Sequence, residues 1–188
     1  AGRNDSELWA TFRLGSATGT PLRLESPARV SYDGTELVFD ALWDRHEAIV
    51  PGRADMGDLV YRNAEGDTLR IEMQPFIEAR IPSDFPRTLD DSEPLRISWG
   101  GPPLESGELV QIQFTELNVD ALRRQTFGLS SPGATELEVD VEKLQSLTPG
   151  LYEAVLIRSR TERPSETTDA GGVLAIFYQS DSVEIEVP

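Results

Sequence analysis

Residues 136–142 read Glu-Leu-Glu-Val-Asp-Val-Glu, and this strict alternation of acidic and apolar side chains decides the fold class. Successive side chains of a β-strand point to opposite faces, so a period of two predicts a strand with one buried and one solvated face. The same period recurs along the chain, in residues 8–14, 95–99, 110–114 and 183–187. Only residues 119–125 and 141–147 suit helices, and neither is long enough to be stable without packing. The sequence therefore predicts an all-β protein.

Two turn signals place hairpins in the first half of the chain. Asp33-Gly34 stands between two apolar runs, and Asp-Gly is the strongest short-range signal for a hairpin with a two-residue primed turn. Residues 63–67, Asn-Ala-Glu-Gly-Asp, join the apolar runs 59–61 and 69–73 in a second hairpin. Short strands that are regularly separated by turn signals favour antiparallel sandwiches.

The composition changes at residues 83–94, which contain two prolines and four acids and have no apolar period. Such a stretch is typical of a linker. A length of 188 residues suits two domains that each bury a core of their own. We therefore expect two tandem immunoglobulin-like antiparallel β-sandwiches, an N-terminal one over 1–82 and a C-terminal one over 95–188, joined by a linker over 83–94.

Charge excludes one large class of partner. The chain has 33 acidic against 17 basic side chains, a net charge of −16, whereas nucleic-acid binding relies on Lys and Arg that neutralise phosphates. The longest apolar run, residues 173–178, has six residues, against the roughly 20 that a spanning helix needs. We therefore expect neither nucleic-acid binding nor membrane insertion.

The start of the chain and the absence of cysteine bear on the compartment. Residues 1–7, Ala-Gly-Arg-Asn-Asp-Ser-Glu, lack the features of a signal peptide. They would suit a tether behind a removed signal or lipid-anchor segment, and equally a trimmed start. With no cysteine, disulfides and cysteine metal sites are excluded, and the chain suits an oxidising compartment.

A family resemblance enters at residues 144–157, Leu-Gln-Ser-Leu-Thr-Pro-Gly-Leu-Tyr-Glu-Ala-Val-Leu-Ile. This run resembles the approach to strand F of immunoglobulin-like and fibronectin-III-like domains. The resemblance implies a tyrosine corner, in which Pro149 and Gly150 shape the turn and the Tyr152 hydroxyl bonds to backbone a few residues upstream. With Trp99 in an early strand, it implies an Ig-like second half, although the cysteine pair of antibody domains is missing. The first half is Ig-like by strand count.

Two small acidic all-β modules behind a hydrophilic start are similar in architecture to bacterial envelope lipoproteins with tandem domains of this kind. The resemblance implies a place in the periplasm, the cell envelope or the extracellular space, and a role in attachment or protein binding. It carries no functional residues to this chain.

The sequence offers little for catalysis. A histidine-dependent site would have to use His46, the single histidine, and no Gly-x-Ser-x-Gly elbow accompanies it. A charged, solvated loop or edge-strand histidine is the plainer interpretation. Lys143, the single lysine, is not preceded by the glycines of a P-loop. We expect no enzyme and no catalytic residues.

Metal binding is expected only in one form. No histidine or cysteine spacing suits zinc, so we predict no cofactor. Calcium is the alternative, because it takes several oxygen ligands from acidic loops, although no EF-hand spacing is present. The local acidic groups are Asp33, Glu36 and Asp40; Glu65 and Asp67; and Asp90, Asp91 and Glu93. Turn formation explains the same residues without a metal.

Two tryptophans are candidates for a binding surface. Trp9 is out of phase with the apolar series of its strand and Trp43 lies beyond its strand, whereas Trp99 is in phase and is expected in the core. Exposed indoles on one sheet face would let sugar rings stack on them. The alternative is burial where the two domains meet.

A cluster of arginines is the other candidate. Arg158, Arg160 and Arg163 lie around the start of a long segment, residues 159–172, that joins two late strands, and in so acidic a chain they could bind an acidic partner. A disordered excursion would look the same, and residues 183–187 could instead offer an edge strand. We expect a non-catalytic binding or structural module with a protein or glycan partner; the alternative is a carbohydrate-binding accessory domain.

Overall fold

The computed structural model describes residues 5–14, 19–51, 57–72, 78–118, 123–163 and 173–188. In these ranges the regular structure is β apart from the helix α1, Val141–Leu144. The strands are β1 Asp5–Ala10, β2 Phe12–Arg13, β3 Pro21–Leu22, β4 Arg29–Tyr32, β5 Thr35–Glu36, β6 Val38–Asp40, β7 Arg45–Pro51, β8 Asp58–Arg62, β9 Thr68–Glu72, β10 Leu95–Ser98, β11 Glu108–Glu116, β12 Arg124–Leu129, β13 Glu136–Val139, β14 Gly150–Glu162, β15 Leu174–Gln179 and β16 Val183–Val187. The prediction of an all-β protein with antiparallel sheets is confirmed.

The chain divides into two compact units. The first unit comprises Ala1–Pro75 and Arg163–Leu174, and the second comprises Phe76–Glu162 and Ala175–Pro188. The predicted domain limits and the immunoglobulin-like assignment stay predictions.

The first unit contains the sheets β1-β7-β6, β5-β4-β8-β9 and β2-β3. Both predicted hairpins form. Asp33 and Gly34 have φ of 43° and 82°, the left-handed geometry that a primed turn needs, and join β4 to β5. In the second hairpin, between β8 and β9, the Asn63 side chain accepts the N–H of Asp67 at 2.7 Å.

Residues 8–14, predicted as one strand, belong to two. β1 pairs with β7, whereas β2 pairs with β3, and the change of partner falls at Thr11. The alternation of side chains cannot reveal this change, because it reports which face is buried and not which strand supplies the hydrogen bonds.

The second unit contains a five-stranded sheet, β12-β11-β14-β15 with β16 also on β14, and the pair β10-β13. Its core follows the predicted alternation. Leu137 and Val139 of β13 are buried between exposed glutamates, and Ile97 of β10 lies opposite Leu137. The Tyr152 hydroxyl donates to the Thr148 carbonyl at 2.9 Å, which confirms the hydrogen bond implied for a tyrosine corner.

Residues 83–94 are part of the second unit. Phe85 and Leu89 lie in its hydrophobic core. The N–H of Leu89 donates to the Glu186 carbonyl at 2.8 Å, and the N–H of Glu186 donates to the Arg87 carbonyl at 2.9 Å. This segment therefore covers the edge of β16 at Glu186, the edge that the sequence offered to a partner strand.

Four further predictions concern the end of the N-terminal sandwich, two short helices and membrane insertion. Within residues 78–82, the end of the predicted N-terminal sandwich, the structure has one β-bridge, between Arg80 and Gly100. The helix expected over 119–125 is wrong at its end, where β12 begins at Arg124; residues 119–122 lie outside the described residues. Of residues 141–147, which suit a helix, the first four form α1 and the remaining three do not continue it. None of the helical structure described reaches the length and apolar character that crossing a bilayer would take.

Candidate functional site

The outer face of the sheet β1-β7-β6 gathers exposed aromatic, apolar and charged side chains. Residues that lie directly opposite each other in an antiparallel pair point to the same face. The register pairs Trp9 of β1 and Val38 of β6 with Glu47 of β7, and a turn brings Trp43 next to the same strand. We call this surface the Trp face; it consists of Glu7, Trp9, Val38, Asp40, Trp43, Arg45, Glu47 and Ile49.

Large apolar groups on this face are open to solvent. The exposed fractions are 47% for Trp9, 65% for Trp43, 68% for Val38 and 69% for Ile49. Single exposed apolar residues are common on proteins, whereas several on one face make that face a candidate interaction surface. Both indoles are exposed, which a stacking surface requires.

Arg45 connects the two tryptophans. Its Cζ atom lies 5.6 Å from the ring centroid of Trp9 and 5.8 Å from that of Trp43, within the range of a cation–π interaction. Its guanidinium also contacts Glu7 Oε1 at 2.5 Å and Glu47 Oε2 at 2.8 Å. Exposed ion pairs add little stability, but four contacts fix the guanidinium and thereby orient both indoles.

A shallow open depression lies on the same face. Its lining includes Glu7, Val38, Asp40, Glu47 and Ile49. Carboxylates thus stand beside exposed apolar groups, an arrangement that offers hydrogen-bond acceptors next to surfaces for stacking.

His46 lies on the opposite face of β7. It is 4% exposed, so the expectation of a solvated histidine is wrong. Its ring lies 5.5 Å from that of Phe12 and 5.1 Å from that of Phe39, and its Nε2 accepts the N–H of Leu24 at 3.2 Å. Burial, together with the charge of Arg23, lowers the pKa of His46. The neutral imidazole is a packing group that does not reach the Trp face.

One of the three candidate arginines is buried. Arg158 is completely buried, and its guanidinium pairs with the equally buried Glu108 and donates to the carbonyls of Pro102 and Pro103, both at 3.1 Å. It cannot contact a partner. Arg160 is partly buried and Arg163 is exposed, while residues 164–172 of the following segment lie outside the described residues.

The sequence held a signal for the burial of Arg158. Arg158 is in phase with Ala154 and Leu156, both fully buried, and Glu108 is in phase with Val110 and Ile112. Two opposite charges at inward positions of the neighbouring strands β11 and β14 predict a buried pair rather than a binding patch.

The acidic turns bond to backbone. Asp33 accepts the N–H of Asp58 at 2.9 Å and Asp90 accepts that of Ser92 at 2.9 Å. Within the described ranges, no group of three or more His, Cys, Asp or Glu residues is placed to hold a metal ion. The Asp90 bond is local and typical of a turn, whereas the Asp33 bond joins the β4-β5 turn to the start of β8.

No protein-family model and no curated protein matches this chain.

Proposed function

We propose that this chain is a non-catalytic binding module of the cell envelope or the extracellular space, and that the Trp face is its binding surface. The observation that carries the proposal is that Trp9 and Trp43 are exposed and held by one guanidinium. The compartment follows from the resemblance in architecture to envelope lipoproteins.

A saccharide is the ligand that this surface favours. The apolar faces of sugar rings stack on indoles, and the hydroxyl groups donate to carboxylates. Glu7 and Glu47 supply acceptors, and Arg45 supplies donors beside the two rings. Because Arg45 holds the rings in place before binding, little side-chain freedom remains to be lost on binding.

A protein partner is the second candidate. Val38 and Ile49 enlarge the exposed apolar area, and exposed aromatic side chains are frequent anchors of protein interfaces. A protein would need to cover most of the Trp face, whereas a sugar chain needs only the rings and their polar neighbours.

Binding to polysaccharides tests the proposal. We expect retention by at least one of a panel containing β-glucan, xylan, mannan and glucosamine-based polymers. Trp9→Ala and Trp43→Ala should each weaken binding about tenfold, since each removes one stacking contact. Phe177→Ala is the matched control, because Phe177 is an aromatic residue of the second unit with 56% exposure. Unchanged binding by both tryptophan variants, or retention by none of the polymers, contradicts the proposal.

A further inference from the structure

The Trp face contains one positively charged group, the guanidinium of Arg45, whose contacts show how this surface binds a cation. The guanidinium of Arg45 contacts two indole rings and two carboxylates at once. Indole faces and carboxylates both attract cations, the former through the ring quadrupole and the latter through their charge. The chemistry that binds an internal cation on this face also suits a cation on a ligand.

The face carries more negative than positive charge. Its eight residues include three carboxylates, those of Glu7, Asp40 and Glu47, and the single guanidinium of Arg45, and all three carboxylates line the depression. Asp40 lies opposite Arg45 in the register, and its Oδ1 accepts the N–H of Leu42 at 2.6 Å. The depression is therefore electronegative.

The net charge of the whole chain also favours a cationic ligand. A net charge of −16 repels anionic chains and attracts cationic ones before contact, so it selects among ligands at the encounter step. A neutral sugar would gain stacking alone, whereas a sugar with protonated amines would gain stacking and charge together.

We infer that the saccharide bound by the Trp face carries free amino groups that are protonated when it binds. This inference rests on the proposed function and narrows its ligand. Sugar rings stack on Trp9 or Trp43, and ammonium groups lie in the depression among the carboxylates. Uronic-acid and sulfated polysaccharides are excluded by the same charges.

Matched oligomers test the inference. The probes are glucosamine oligomers with free amines and the same oligomers after complete N-acetylation, measured by calorimetry below the amine pKa. We expect the free-amine oligomers to bind about tenfold more tightly, and this advantage should shrink as salt is added, because exposed charges are screened.

One substitution isolates the charge. Asp40→Asn keeps an oxygen that can accept the N–H of Leu42 and removes the negative charge. It should weaken binding of the free-amine oligomer about threefold to fivefold, and it should weaken binding of the acetylated oligomer less, because only the free-amine oligomer loses a charge interaction. Asp90→Asn is the matched control, because Asp90 accepts the N–H of Ser92 with the same spacing but lies in the second unit.

The outcomes separate the inference from the proposed function. Equal binding of both oligomers at every salt concentration, or tighter binding of an anionic polysaccharide, overturns the inference and leaves the saccharide module standing. Binding of oligolysine with no polysaccharide bound overturns both in favour of a basic protein partner. Identical affinity of Asp40→Asn and the wild type for the free-amine oligomer also contradicts the inference.

Discussion

Arg158 and Glu108 form the most deeply buried charged pair among the described residues, and both side chains are fully inaccessible. A buried ion pair gains attraction only after both ions have lost their water, so it adds little compared with apolar residues of the same volume. Breaking it is different, because a single charge is then left without a partner. In this chain the Arg158 guanidinium also donates hydrogen bonds to the carbonyls of Pro102 and Pro103.

Arg158→Met should therefore lower the free energy of unfolding by about 3 to 5 kcal/mol, measured by urea denaturation, because it leaves the Glu108 carboxylate alone in the core. The double variant Arg158→Met with Glu108→Leu should recover much of this loss, since it removes both charges. A single variant as stable as the wild type would show that the pair is hydrated in solution.

His46 makes stability depend on pH. Its pKa is lowered in the folded state by burial and by Arg23, so the unfolded chain binds a proton more readily, at the ordinary value of 6.5. The contribution of His46 is fully present above that value. This contribution to the free energy of unfolding is lost as the pH falls below 6.5 and through the lowered folded-state pKa. Protonation of the imidazole also removes Nε2 as the acceptor for the N–H of Leu24.

The measurement is urea denaturation at a series of pH values for the wild type and His46→Gln. As His46 is the single histidine, the difference between the two proteins should shrink as the pH falls through this window. A difference that stays constant or grows would contradict the account of a buried, neutral imidazole.

At the scale of the element, period two is the feature that the sequence displays best. The strands β13 and β16 follow the alternation of residues 136–139 and 183–187, and their apolar members are buried where the pattern places them, except Val183, which is partly buried. What the pattern misses depends on long-range packing. Phe85 and Leu89 stand among acids and prolines, yet β16 supplies backbone partners that draw this segment into the core.

The hairpin β4-β5 allows a direct test of turn geometry. Gly34 has a φ of +82°, and a Cβ atom placed there would meet nothing within 4 Å. Gly34→Ala should therefore lower the free energy of unfolding by about 1 kcal/mol through backbone conformation alone, as measured by thermal denaturation. Gly100→Ala is the control, because its added Cβ would meet only Arg80 Cβ at 3.8 Å. Equal effects of the two substitutions would rule out this explanation.

At the scale of the whole molecule, the sequence predicted the two tryptophans of the candidate site but not the arginine that contacts both of them. Trp9 and Trp43 stood out because they fall outside the apolar series of their strands, and the structure leaves both exposed. Their common contact with Arg45 depends on the pairing of β1 with β7 and on the turn before β7, which residue patterns alone do not specify. Among the arginine candidates, Arg158 was wrong, because its charge suggested a surface position whereas the alternation of β14 places it in the core. Arg160 and Arg163 stay predictions.

Acrylamide quenching of tryptophan fluorescence reports directly on whether a ligand covers Trp9 and Trp43. Trp99 is 5% exposed and donates to the Pro102 carbonyl at 3.2 Å, so it should be shielded from the quencher throughout. We predict that free-amine glucosamine oligomers reduce the quenching of the wild type and leave that of the variant with both Trp9→Ala and Trp43→Ala unchanged. Quenching of the wild type that no saccharide alters, or protection that persists in the double variant, would contradict the Trp face as the binding surface.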